Sequence, residues 1–181
     1  MKRLCTLAAL LVCVAICSQV ASAQQDKSKR ASPPGSAECQ FPDGKTVHID
    51  YSRPLMKGRK IYGSLVPYDK EWRTGANEAT TFVTNTNLDV GGTKVPAGNY
   101  TLFTVPSQKQ WTLIISKKTG EWGIPYPGAS EDLARIPMRA GELSSPVEQF
   151  TISFERTSPE ACALRLDWET TRAELNVREQ K

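Results

Sequence analysis

Apolar and polar residues alternate one by one along much of this chain. Val47, Ile49 and Tyr51 alternate with Thr46, His48 and Asp50, and Trp111, Leu113 and Ile115 with Thr112 and Ser116. Phe150, Ile152 and Phe154 alternate with Thr151, Ser153 and Glu155. Cys162, Leu164, Leu166 and Trp168 follow, interleaved with Ala163, Arg165 and Asp167, and Ala173, Leu175 and Val177 continue in the same style. A period of two sends successive side chains to opposite faces of a strand. Each run therefore predicts a strand with one face in a core and the other in solvent.

Turn chemistry falls between these runs. Pro42-Asp43-Gly44 reads as a hairpin after Phe41, and Gly91-Gly92 separates Leu88–Val90 from Thr93–Val95. Pro96-Ala97-Gly98 precedes a run from Tyr100 to Val105, and Ser158-Pro159-Glu160 joins the Phe150 and Cys162 runs. A short helical turn is predicted near Ser130–Leu133, with Ser130 as its cap. Many short strands and no long segment of helical period predict an all-β fold: a single antiparallel β-sandwich, with a jelly-roll-like arrangement as one form of it.

The amino terminus breaks this pattern. Lys2 and Arg3 precede an uncharged apolar run, Leu4 to Ile16, and Ala21-Ser22-Ala23 supplies the small residues of a signal-peptidase site. Residues 1–23 are read as a signal peptide, because the apolar run falls short of the roughly 20 residues of a membrane span. Residues 24–35 (QQDKSKRASPPG) are polar and Pro-bearing and are expected to be a disordered tether. Residues 36–178 form the domain. The address is exported, periplasmic or secreted, with no membrane span after cleavage.

Cleavage removes Lys2 and Arg3 and takes the formal net charge from +4 to +2, a balance that argues against nucleic acid as a partner. It also removes three of the five cysteines. Cys39 and Cys162 remain, each sharing parity with inward residues. Two readings stay open for them: a disulfide, favoured by the exported context, or two buried thiols. With one histidine, His48, and no C-x-x-C or H-x-x-H spacing, neither a metal nor a cofactor is expected.

The candidate chemistry lies in residues 51–80, YSRPLMKGRKIYGSLVPYDKEWRTGANEAT. This block, then Pro96–Pro106, Trp111–Ile114, Glu121-Trp122-Gly123 and the pair Asp132 and Arg135, closely resembles the DUF2911 family over roughly Ser36 to Val177. The resemblance implies an exported bacterial β-rich domain whose biochemical role is not established, and it transfers no catalytic residue.

Read physically, Arg53, Arg59 and Arg73 are permanent cations that grip carboxylates bidentately. One reading is structural: Glu78, Asp69 and Glu71 neutralise them, and the block pins a long crossover. The second is a site in which Arg73 and Asn77 take a small polar or anionic ligand, or an envelope component, beside Trp72 and Tyr68. Arg53, Arg59 and Glu78 join that candidate set. Trp122, with Tyr126, offers the other wall of the same cleft. Catalysis is the least supported: Glu78 with Asp69 or Glu71 would be the carboxylate pair of a hydrolase of envelope polysaccharide or peptide, but nothing in the spacing enforces their separation. The expected role is non-catalytic binding.

Overall fold

The computed structural model describes residues 26–181. The signal segment and its cleavage site lie outside the described residues. The tether expected up to Gly35 is replaced by docked chain from Asp26 on. A single 3-10 turn spans Lys27–Lys29, Arg53 N–H donates to Pro33 O at 2.8 Å, and the first strand already starts at Pro34. Composition alone misread this stretch, because its charges find partners on the domain.

Among the described residues, nine strands form one antiparallel sheet. In chain order they are β1 (Pro34–Gln40), β2 (Thr46–Ser52), β3 (Thr80–Thr84), β4 (Leu88–Val90), β5 (Thr93–Val95), β6 (Gly98–Val105), β7 (Trp111–Ser116), β8 (Asp132–Ser158) and β9 (Ala161–Glu179). Their order across the sheet is β1-β2-β3-β6-β7-β8-β9-β4-β5. The predicted turns fall where expected, with two-residue hairpins at Gly91-Gly92 between β4 and β5 and at Pro159-Glu160 between β8 and β9.

The strand expected at Phe150 to Phe154 is the far part of a much longer one. β8 pairs with β7 from Asp132 to Met138 and then changes partner, pairing with β9 from Arg139 onward. Its middle turns back on the start of the sheet: Met56 N–H donates to Glu148 O at 2.8 Å and Phe150 N–H to Pro54 O at 2.9 Å. The sheet therefore curls until the exit of β2 meets the middle of β8. Tyr51 seals that seam, its hydroxyl accepting from Ile152 N–H at 2.8 Å.

The inward faces meet in one core holding Ile49, Phe82, Leu102, Leu113, Phe150, Leu166 and Trp168. Each such side chain, taken fully out of water, stabilises by about 1.5–3 kcal/mol. Cys39 on β1 and Cys162 on β9 are both buried and form the disulfide, with Cα atoms 6.5 Å apart. The helical turn is a 3-10 turn at Ala129–Glu131. Ser130 lies within it rather than capping it: the cap position is Gly128, and no side chain closes the turn.

Candidate functional site

The chain leaves β2 at Ser52 and does not rejoin a strand until Thr80. That long excursion is held at both flanks. On one side it pairs with β8, as described above. On the other, Trp72 exchanges two backbone bonds with Thr104 of β6, each 2.8 Å. The buried Thr74 hydroxyl donates to Trp72 O at 3.3 Å and lies 3.2 Å from the Thr104 hydroxyl. The Thr80 hydroxyl donates to Thr74 O at 2.8 Å. These bonds hold Thr74 at φ 55°, a left-handed conformation that is costly for a β-branched residue. The block is thus ordered, as a long connection must be to satisfy its backbone.

Where this block folds past β9, a cleft of about 390 Å³ opens. Trp72 and Trp168 form one wall, their rings stacked with centroids 5.9 Å apart and planes 18° apart. The Trp72 Nε1–H donates to Gly75 O at 3.0 Å, which fixes the indole edge. Leu65 and Ile124 contribute apolar surface, exposed by 44% and 67%. Arg59, Lys70 and Arg73 add cationic groups and Glu71 a carboxylate.

The loop after β7 meets the block at Gly123. At φ 80° this glycine lets the two backbones close: a Cβ there would lie 2.9 Å from Ala79 Cβ and 3.0 Å from Arg73 Cβ. Ala79 N–H donates to Glu121 O at 3.2 Å across the same contact. Trp122, 52% exposed, then lies against the Arg73 guanidinium at 5.7 Å from its ring centroid. Such an arrangement stabilises by about 0.5–1 kcal/mol at an exposed site.

Charge in this region is unevenly settled. Arg53 is satisfied: Nε donates to Phe150 O at 3.3 Å and Nη2 to the Thr151 hydroxyl at 3.0 Å. Arg59 caps its own loop, donating to Met56 O at 2.9 Å and Leu55 O at 2.6 Å. Arg135 binds Asp132 at 2.7 Å and Glu71 at 3.3 Å, and donates to the Tyr126 hydroxyl at 3.0 Å. The Tyr126 hydroxyl in turn donates to Asp132. Burial, then the hydrogen bond to that carboxylate, pushes Tyr126 up to about 12. Arg73 differs. It has no carboxylate partner among the described residues, its Nη1 is buried without an acceptor, and burial pulls its pKa down.

The candidate residues accordingly separate. Arg59, Trp72 and Arg73 line the cleft, and Trp122 flanks it through Arg73. Asn77 turns away, its amide donating to Ser32 O at 3.0 Å and the Ser52 hydroxyl at 3.1 Å. Tyr68 borders a different pocket. Glu78 pairs with Arg30 at 2.7 Å and Lys27 at 3.2 Å, and the Arg30 hydrogen bonds hold its carboxyl at about 2. Asp69 and Glu71 form no pair with it. Tyr126 packs on Phe103 instead of the cleft, with ring centroids 5.1 Å apart. Ile124, Leu65 and Trp168 were not anticipated as lining. Trp168 carried a signal, since its parity placed it inward, but its partner across the sheet was not readable.

A curled antiparallel sheet of nine strands with a long ordered crossover beside an aromatic and cationic cleft defines an all-β domain. The chain belongs to the DUF2911 family, described as a protein of unknown function, whose model matches residues 32–177. Neither the curated proteins nor the solved structures contain a match to it.

Proposed function

We propose that this protein is an exported, non-catalytic binding domain that takes a small carboxylate-bearing ligand in the Trp72–Trp168 cleft. The observation that carries the proposal is Arg73. A half-buried guanidinium without a carboxylate partner is costly, and an anion bound in the cleft that Arg73 lines would supply the missing counter-charge. Lys70, which makes no ion pair among the described residues, adds a second positive charge at the rim. The stacked indoles and Ile124 give an apolar surface for the remainder of the ligand. A few polar groups set among apolar walls is the usual composition of a small-molecule site.

Glu78 supports the non-catalytic reading over a carboxylate-dependent hydrolase. Two cations hold it ionised at about 2, which is the opposite of what a general acid requires. Export is supported by the Lys2-Arg3 segment, the apolar run and the Ala21-Ser22-Ala23 site. Mass spectrometry of the protein recovered from a bacterial periplasm or medium should give Gln24 as the first residue. Retention of Met1 would refute the export reading.

The binding test is calorimetric titration with succinate, N-acetylmuramic acid and D-alanyl-D-alanine, each against its uncharged analogue. A ligand at a hundred times its dissociation constant should also raise native stability by about 2.7 kcal/mol. Arg73→Met should weaken the interaction by about ten- to a hundredfold, the worth of a charge-assisted pair. Equal binding by the Met variant, or no binding of any of the three anions, would sink the proposal.

A further inference from the structure

Most of the hydrogen-bonding groups that line the Trp72–Trp168 cleft are already engaged. The Trp72 Nε1–H donates to Gly75 O at 3.0 Å and the Trp168 Nε1–H to Glu148 O at 3.2 Å, so neither indole has a donor left to offer. Arg59 spends two of its nitrogens on Met56 O and Leu55 O, and the Glu71 carboxylate is held by Arg135. Apart from the indoles, Ser32 is the one neutral side chain of the lining able to form a hydrogen bond. The unengaged charge is cationic: Arg73 and Lys70 have no carboxylate partner among the described residues.

The apolar part of the lining is, by contrast, extensive and partly bare. Pro54, Val66 and Pro67 join the two indoles. Among the described residues four large apolar side chains stand exposed, and three of them gather here. Leu65 and Ile124 line the cleft and Trp122 lies beside it against Arg73, whereas Val83, on β3, is outside the lining. Exposed apolar side chains scattered singly need no explanation, but a group of them at one concave site marks surface that a ligand covers.

A sugar or a peptide carries many hydroxyl, amide and carbonyl groups, each of which must find a partner when it leaves water. This lining has partners for few of them. A ligand with a single anionic head and a hydrocarbon body leaves nothing unpaired. We propose that the cleft binds a medium-chain aliphatic monocarboxylate, its carboxylate on Arg73 and its chain against Trp72, Leu65 and Ile124. The volume of about 390 Å³ lies near the lower end of the roughly 300–1,000 Å³ of small-molecule sites, which suits one chain rather than a lipid with several. The inference rests on the reading of this cleft as a carboxylate site and narrows its ligand.

The test is calorimetric titration of the mature chain with butyrate, hexanoate and octanoate. Octanamide serves as the uncharged analogue and succinate as the reference anion. Complete burial of a methylene is worth about a fourfold gain in affinity, so octanoate, even with its chain half covered, should bind at least about tenfold tighter than butyrate. Octanamide should bind at least about tenfold more weakly than octanoate, and Arg73→Met should erase that difference. Ile124→Ser and Leu65→Ser alter exposed side chains, and each should weaken octanoate about two- to tenfold while leaving succinate near wild type. Flat affinity from butyrate to octanoate, or octanoate binding unchanged in both serine variants, would overturn the inference. If succinate is still bound through Arg73 in that case, the carboxylate reading stands without it. Octanamide binding as tightly as octanoate, or no binding by any of the anions, would overturn both.

Discussion

Opening the Cys39–Cys162 bridge is the perturbation whose size follows most directly from the structure. The two residues lie 123 positions apart, so the bridge closes a loop that covers most of the domain. In the chain-entropy model a loop of that length removes about 5 kcal/mol of conformational freedom from the unfolded chain. For a domain of this size 1 kcal/mol moves the melting temperature by about 2–4 °C, so the reduced protein should melt about 10–20 °C lower. Both cysteines are buried in the core, and the cleanest comparison is therefore the native protein against its own reduced form, with no change of side chain. Circular dichroism melts in the presence and absence of reductant give the shift. Urea titrations supply a second readout, because a cross-linked unfolded chain is more compact and should lower the denaturant slope. A loss under about 3 °C with an unchanged slope would refute the entropic account, since the model allows no such small effect for a loop this long.

Three further predictions concern the block and its anchors. Arg53→Met should lower stability by about 1–3 kcal/mol in urea melts, because Phe150 O and the Thr151 hydroxyl lose their donor; Arg73→Met should change it by less than about 1 kcal/mol in the same assay, since the lost contact with Trp122 is offset by removal of a buried group without an acceptor. Tyr51→Phe should also cost about 1–3 kcal/mol, since the buried Ile152 N–H then faces a ring with no acceptor, and a wild-type midpoint would show the seam to be unimportant. The pH dependence has a defined sign. Glu78 has its carboxyl depressed in the fold, first by the Arg30 hydrogen bonds, from 4.5 to about 2. Its contribution is fully present above 4.5 and is lost as pH falls toward 2. The pair is substantially exposed, so the effect is below about 1 kcal/mol after screening. Glu78→Gln should flatten that part of the stability–pH curve, and a curve parallel to wild type from pH 4.5 to 2 would count against the pairing.

Legibility in the sequence followed how local each determinant was. Strands β2, β7 and β9 were visible because apolar and polar residues alternate along them, as with Val47, Ile49 and Tyr51, although β7 and the start of β9 bury both faces. Turns marked by glycine and proline were visible for the same reason: the residue itself sets the backbone. The near half of β8 was not. Ile136 and Met138 alternate with exposed Arg135, Pro137 and Arg139 only briefly, the polar run with Gly141 and Pro146 carries no alternation, and this half is a strand because β7 and β9 pair with it. The ordering of Lys27 to Pro33 was hidden too, since it depends on Glu78 and Asn77, far along the chain. The candidate site shows the same division. Sequence could place Arg73 and Trp72 next to each other, but the departure of Asn77 and Glu78 toward the N-terminal segment and the arrival of Trp168 and Ile124 are settled by tertiary packing.

The stacking of Trp72 on Trp168 makes the cleft a late event in the life of the chain. One indole comes from the crossover after β2 and the other from the final strand, and the seam beside them joins Tyr51 to Ile152, 101 positions away. Contacts that distant form slowly, because loop-closure entropy precedes their reward. Any nascent or clipped chain that lacks β9 holds Arg73 and Trp72 but has no cleft to present them in. Ligand affinity would then report on completed folding rather than on the local block. Two near-parallel indoles in van der Waals range also couple electronically, so the protein carries a spectroscopic marker of that completion: a circular dichroism couplet that emerges only when the last strand has docked.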